Sequence, residues 1–333
     1  MDRMSAGGDG KPVEKDFHFP PLVNGLDFLA STVASLSAEL REPSPREVKY
    51  AVLHLQLAAE ILFKARLEMH DPKLVWGKPG KFDEAKHRAG DFYSCGIETA
   101  LERLHDHVGI QTDVEPTDAD LAALGNLRNR IVHFGWQDTT IAVQARTVPV
   151  LDLLLGFLNT DVLPHLPQPA EAWAAEQQME PIRAGLRHLG DVVRRRHEAI
   201  RGELSGHEGN TLACRSCGQF AVVLDGGASD LACLMCGKPY GTGPDAAWEY
   251  LGDSRHVSVS TGGGDLPQCE CCGEHAVISS RVAAAREDDT LICFGCGTAE
   301  FAGVCASCDV AHYSICPESD LCTDCWDASL ARF

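Results

Sequence analysis

The sequence predicts an all-α N-terminal bundle followed by small β-rich units at the C-terminus. Two observations carry this. Apolar residues recur at helical spacing through residues 20–204, and six C-x-x-C pairs crowd residues 205–333 among glycines and short apolar runs. The boundaries read as a disordered tail over 1–16 and a helical domain over 17–204. Cysteine units follow over 205–245, 266–300 and 301–333, with a linker over 246–265. At 333 residues and 44% hydrophobic, the chain can build more than one core.

The helices follow in order. Leu22, Leu26, Leu29, Val33, Leu36 and Leu40 form an apolar stripe over 20–40. Ser44, Pro45 and Glu47 then spell a capping box for a long helix to about Met69. Residues 71–90, rich in Gly, Pro and Lys, read as a loop, and 91–108 as helix. Thr117 caps a helix that runs to Phe134, where Gly135 ends it. A fifth helix covers 139–163, interrupted near Pro149, and a sixth covers 171–204 with Arg194-Arg195-Arg196 as the most basic spot. Beyond 204, Phe220–Leu224 and Ala276–Ile278 read as short strands.

No run of 18 apolar residues appears, so no membrane-spanning helix and no membrane partner are expected. The polar start of the chain lacks the apolar segment of a secretory signal. The expected location is cytoplasmic, where the fifteen cysteines stay reduced and close pairs act as metal ligands.

The pairs are Cys214/Cys217 with Cys233/Cys236, Cys269/Cys272 with Cys293/Cys296, and Cys305/Cys308 with Cys322/Cys325. The first two sets are internal repeats, each pair followed by Gly218, Gly237, Gly273 or Gly297; the third set lacks the glycines. The gaps between paired knuckles are 15, 20 and 13 residues, a spacing that favours sequential over cross-braced pairing. Tetrahedral zinc takes four thiolates, which leaves no open position, so three structural Zn2+ ions are expected. Cys271, Cys316 and His312 are then surplus to the four-ligand sets, and Cys95 is a small buried hydrophobe.

The net charge of −19 is uneven: residues 1–204 carry −7 and 205–333 carry −12. Phosphate-backbone binding needs a basic footprint. The acidic units are therefore expected to regulate, or to dock a protein partner, instead of gripping nucleic acid. Contacts to RNA are expected from the helical domain, through Arg128, Arg130 and Arg194–Arg196. A DNA-binding regulator is the weakest reading, because no basic helix accompanies the units.

One helical string stands out: Leu127-Arg128-Asn129-Arg130-Ile131-Val132-His133-Phe134-Gly135. Leu124, Leu127, Ile131 and Phe134 form its apolar stripe. Asn129 and His133, four apart, stand one above the other on another face. Arg128 lies about 100° round the helix from Asn129, by the 3.6-residue period.

This R-N-x-x-x-H string at a helix end resembles the motif of the HEPN family of all-α domains. The long second helix with Glu60 and Lys64, and the segments Gly90-Asp91-Phe92 and Ala100-Leu101-Glu102-Arg103-Leu104, are also similar to that family, over roughly residues 20–165. The resemblance implies a metal-independent endoribonuclease acting on RNA as a homodimer. His133 would be the general base for the ribose 2′-OH, Arg128 would stabilise the phosphoryl oxygens, and Asn129 would orient the phosphate or His133. Glu60 and Lys64 either face the cleft or form a solvated ion pair. A toxin or antiviral-defence role fits the same resemblance. The competing class is a non-catalytic dimeric adaptor.

Overall fold

The structure is a computed structural model that describes residues 19–37, 41–110, 117–135, 137–226, 230–260, 264–316 and 319–331. The expected tail over 1–16, Leu40 and the Gly262-Gly263 pair lie outside these residues, as does the side chain of Thr117.

Helix α1 (Pro21–Leu36) packs along α2 (Pro45–His70), which is the central helix of the N-terminal half. The capping box forms as the sequence spells it. Ser44 Oγ accepts from the Glu47 amide at 3.3 Å, and the Glu47 carboxylate accepts from the Ser44 amide at 2.8 Å. Arg41 adds two charge-assisted bonds to Glu47, and together these donors hold its carboxyl well below the usual range. Val48, Val52, Leu55, Ala59 and Leu62 recur at helical spacing on α2 and are buried.

Residues 71–90 are not a plain loop. They hold two 3-10 turns and α3 (Glu84–Ala89), which Asp83 caps through the Lys86 amide at 2.9 Å and Gly90 ends in a left-handed conformation. The expected helix over 91–108 begins only at α4 (Ile97–Arg103) and continues as a π turn to Val108. Before it the chain is extended, because the Cys95 amide donates to Val75 O and the Gly77 amide to Tyr93 O, both at 2.8 Å. Trp76 and Ser94 form the bridge between these two segments.

Helix α5 (Thr117–His133) carries the motif and packs on α2. Leu124 and Leu127 are buried as expected, but Phe134 is 88% exposed, since the helix ends at His133 and the ring leaves the stripe. The fifth helix is divided, with α6 (Thr140–Ala145) ending before Thr147 and α7 (Val148–Phe157) starting around Pro149. Thr140–His165 is long and apolar enough to cross a membrane by length and composition. Its Leu151, Leu154, Leu155, Leu158 and Val162 are instead buried in the helical core. The sixth helix is three: α8 (Pro169–Leu186), α9 (Gly190–Ala199) and α10 (Arg201–Leu204).

The cysteine-rich half is more integrated than the expected string of separate units. Strands β1 (Thr211–Ala213) and β2 (Phe220–Val223) form one hairpin, and β3 (Leu231–Ala232) pairs with β4 (Pro239–Gly241). Strand β5 (Gln268–Cys269) and the long hairpin of β6 (Val277–Val282) with β7 (Ala285–Cys293) follow. Leu212 of β1 pairs with Val282 of β6, so both cysteine repeats share one sheet, in the order β2-β1-β6-β7.

The expected linker over 246–265 is largely helical. It contains most of α11 (Gly243–Leu251) and all of α12 (Arg255–Ser260). Trp248 and Tyr250 of α11 are buried, and Tyr250 Oη donates to Ala213 O at 2.8 Å and lies 3.1 Å from Ser280 Oγ. One side chain thus bonds strands from both repeats, which a solvated linker would not do. Finally, β8 (Gly303–Val304) and β9 (Val310–His312) form a hairpin, β9 pairs in parallel with β5, and α13 (Thr323–Leu330) ends the fold.

Candidate functional sites

The twelve cysteines converge as three sequential groups of four, and within each group the sulfurs lie within 4.8 Å of one another. Sulfur pairs stand 3.7 Å apart for Cys214–Cys236 and Cys269–Cys296, 3.8 Å for Cys217–Cys233, 3.6 Å for Cys272–Cys293 and 4.0 Å for Cys308–Cys322. A tetrahedron with metal–sulfur bonds of about 2.3 Å has edges of about 3.8 Å. The spacing therefore fits four thiolates on one cation and is far too long for a disulfide, whose sulfurs are about 2 Å apart. Each group can hold a metal ion.

The local geometry recurs because the backbone makes the same two bonds at each knuckle. The Gly218 amide donates to Cys214 O at 2.9 Å and the Cys214 amide to Gln219 O at 2.8 Å. The same pair is found at Cys233, Cys269, Cys293 and Cys305. The turn needs positive φ after the second cysteine, which Gly218, Gly237, Gly273 and Gly297 supply at 69–78°. The third unit has no glycine there. Asp309 takes the left-handed conformation at φ 57°, one of the few non-glycine residues that tolerate it. Its other two ligands do not come from a knuckle. Cys322 is the N-cap of α13 and Cys325 sits in its first turn.

The clusters differ in exposure. All four cysteines of the first are buried, whereas Cys272 and Cys308 of the second and third are exposed. In the third cluster the sulfurs also differ in acidity. Burial opposes the Cys305 thiolate, but the Cys322, Cys308 and Ser307 amides outweigh it and bring it down to about 6. Burial and the neighbouring sulfurs push Cys308 up to about 12. A cation at the centre removes this conflict. His312 lies beside the third cluster, with Nε2 3.6 Å from Cys308 Sγ and Nδ1 3.3 Å from Glu270. Cys271 and Cys316 belong to no group of four, and Cys95 is buried with its thiol 3.7 Å from Leu74 O.

The first cluster is seated on the helical half by arginines that the motif reading did not identify. Arg183 of α8 is 0% exposed. Its guanidinium donates to Cys236 O at 3.1 Å and Gly237 O at 3.4 Å, and pairs with Glu176 at 2.5 Å. Arg187 donates to Ser216 O and Arg196 to Met235 O, each at 2.6 Å. The two knuckles turn their carbonyls outward, and these three cations satisfy them. The same cations complement the charge of about −2 on a divalent ion with four thiolates. Lys238 bridges Glu176 and Glu249; burial opposes its charge, yet the two carboxylates raise its pKa overall.

Of the arginines expected on RNA, Arg195 and Arg196 are engaged within the fold. Arg195 and Arg196 are both bonded to Asp152, at 2.9 and 3.0 Å, and only Arg194 is well exposed, paired to Asp191. The first cluster rests on α8 and α9, and Asn129 and His133 of the motif stay exposed to solvent.

At the motif, Arg128 Nη1 donates to Asn129 Oδ1 at 2.8 Å, and the His133 ring stands edge-on to Phe134 with centroids 6.3 Å apart. Exposed Val132, Phe134 and Ile141 accompany them. A cleft of about 370 Å³ opens beside the helix end, lined by Val48, Lys49, Ile131, Gly135 and Thr140. Arg46 and Lys49 stand over the Tyr50 ring at 5.5 and 5.0 Å, so this end of α2 is basic. Glu60 and Lys64 pair with each other at 2.6 Å, and Lys64 also donates to Ser94 Oγ at 2.9 Å. No hydrogen bond or ion pair among the described residues joins them to Arg128 or His133.

Comparison of the chain with protein-family models, with curated proteins and with solved structures found no match.

Proposed function

We propose that the three four-cysteine clusters hold structural zinc and that the helical half is a HEPN-like, metal-independent endoribonuclease acting as a homodimer. The observation that carries the catalytic reading is the grouping of Arg128, Asn129 and His133 on one solvent-facing helix end. His133 accepts the proton of a ribose 2′-OH, whose oxygen attacks the adjacent phosphorus. Arg128 stabilises the charge growing on the phosphoryl oxygens. The bond to the 5′-oxygen breaks, that oxygen takes a proton, and the products are a 2′,3′-cyclic phosphate and a 5′-hydroxyl. Exposed Val132, Phe134 and Ile141 offer the second copy an apolar seat next to the site. The acidic surface of the cysteine-rich half is a docking face for a basic protein partner.

A mixed RNA pool incubated with the purified protein, without added divalent ions, should acquire cyclic-phosphate and 5′-hydroxyl ends. His133→Ala should lower the rate about 10²–10⁴-fold, the usual contribution of a general base. A second reading, a dimeric adaptor without catalysis, is favoured by the Arg128 bond to Asn129, which turns the guanidinium to a neighbour within its own helix. Wild type and His133→Ala leaving RNA equally intact would establish it.

A further inference from the structure

A cleft of about 440 Å³ lies at the seam where α9 and α10 meet the shared sheet. Three guanidinium groups line it, Arg194 and Arg201 from the helical side and Arg286 from β7, together with His197 and the ring of Phe220. Arg286 is one of only six Lys or Arg residues in 205–333, so a cation here is a departure from its surroundings. Its guanidinium lies 4.8 Å over the Phe220 ring. Arg201 makes no side-chain hydrogen bond or ion pair among the described residues. Three carboxylates oppose the arginines: Glu198 and Glu208 line the cleft, Asp191 pairs with Arg194, and Glu208 is turned toward the Gly206 amide at 3.2 Å.

Two recognition elements therefore share one cleft. Guanidinium groups match phosphate oxygens as planar forks. An aromatic ring with a stacked guanidinium is a platform for a nucleobase. The volume falls within the range of small-molecule sites, about 300–1,000 Å³. We propose that this cleft binds a nucleotide unit, either a free nucleotide or the 5′-phosphorylated end of an RNA strand. The base lies against Phe220 and Arg286, and the phosphate lies between Arg194 and Arg201. Because the cleft is made by both halves of the chain, occupancy clamps α9–α10 to the shared sheet. The proposal is independent of the ribonuclease reading, since none of these residues belongs to the motif helix.

The test is calorimetric titration of the full-length, metal-loaded chain carrying His133→Ala, so that cleavage does not enter. The ligands are AMP, a 5′-phosphorylated tetraribonucleotide, its unphosphorylated form and inorganic phosphate. AMP or the phosphorylated strand should saturate the protein. Inorganic phosphate and the unphosphorylated strand should each bind at least about tenfold more weakly, because each lacks one of the two elements. Saturation by AMP identifies a free nucleotide as the ligand, and saturation by the phosphorylated strand alone identifies an RNA end. Arg201→Glu and Arg286→Glu replace exposed side chains and should abolish binding with the thermal midpoint retained. Phe220→Leu should weaken AMP but leave inorganic phosphate unchanged. No saturation by either phosphorylated ligand at millimolar concentration would overturn the proposal. So would wild-type affinity in both arginine variants.

Discussion

Arg183→Ala is expected to be among the most damaging single substitutions in the chain, with a loss of about 3–5 kcal/mol, the usual effect of breaking a buried ion pair. The side chain is fully buried, and its removal takes the donors from Cys236 O and Gly237 O while leaving Glu176 with Lys238 alone. The first cysteine cluster should come away from α8. Denaturant unfolding reads the loss, and amide exchange at 211–241 should rise before global unfolding. Arg194→Ala is the control: its partner Asp191 is as exposed as itself, so the change should stay within about 0.5 kcal/mol. Equal effects at the two positions would show that the carbonyl contacts carry no weight. Gly237 is placed so that a Cβ would collide with Asn159, which explains how tightly this knuckle meets the helical half.

Removing metal should have an effect of comparable or greater size. Structural zinc contributes about 10–16 kcal/mol of apparent binding energy per site in isolated fingers, and small metal-built units rarely fold without it. A strong chelator should release three equivalents per chain, with loss of the strand signal and retention of the helices around α2. The second and third clusters should empty before the fully buried first, since Cys272 and Cys308 are exposed and Cys296 and Cys325 partly so. Lowering the pH should release the ions in the same order, because protons compete for the thiolates. Elemental analysis paired with circular dichroism follows both. A purified chain without bound metal that keeps its native strand signal would contradict the assignment.

The cysteine groups were legible because ligand spacing is local. Two residues fix a knuckle, and the gaps of 15 and 20 residues match a hairpin. Their seating was not legible, because it depends on contacts distant in sequence, from Arg187 with Ser216, 29 positions apart, to Arg183 with Cys236, 53 apart. One signal was present: Arg183 falls among Met179, Ile182 and Leu186 on the buried face of α8, where a charge needs a partner. The shared sheet was hidden for a related reason. Leu212 pairs with Val282 and Tyr250 bonds strands of both, which joins repeats that look autonomous in sequence. Residues 246–265 are rich in Gly, Ser and Asp and resemble a linker, yet the Trp248 and Tyr250 spacing anchors α11. At the motif, periodicity placed Phe134 in the stripe, but a helix that stops at His133 cannot carry the period one residue further.

In the proposed homodimer the two motif helices face each other, so that Arg128 of one copy meets His133 of the other at the same phosphodiester. Mixing Arg128→Ala with His133→Ala protein, co-expressed so that subunits exchange, tests this most directly. Each variant alone should be inactive. The mixture should recover about a quarter of wild-type RNA cleavage, because half of the dimers are mixed and each then carries one intact pair. Mixed dimers as inactive as either variant, or a His133→Ala protein that cleaves at the wild-type rate, would contradict it.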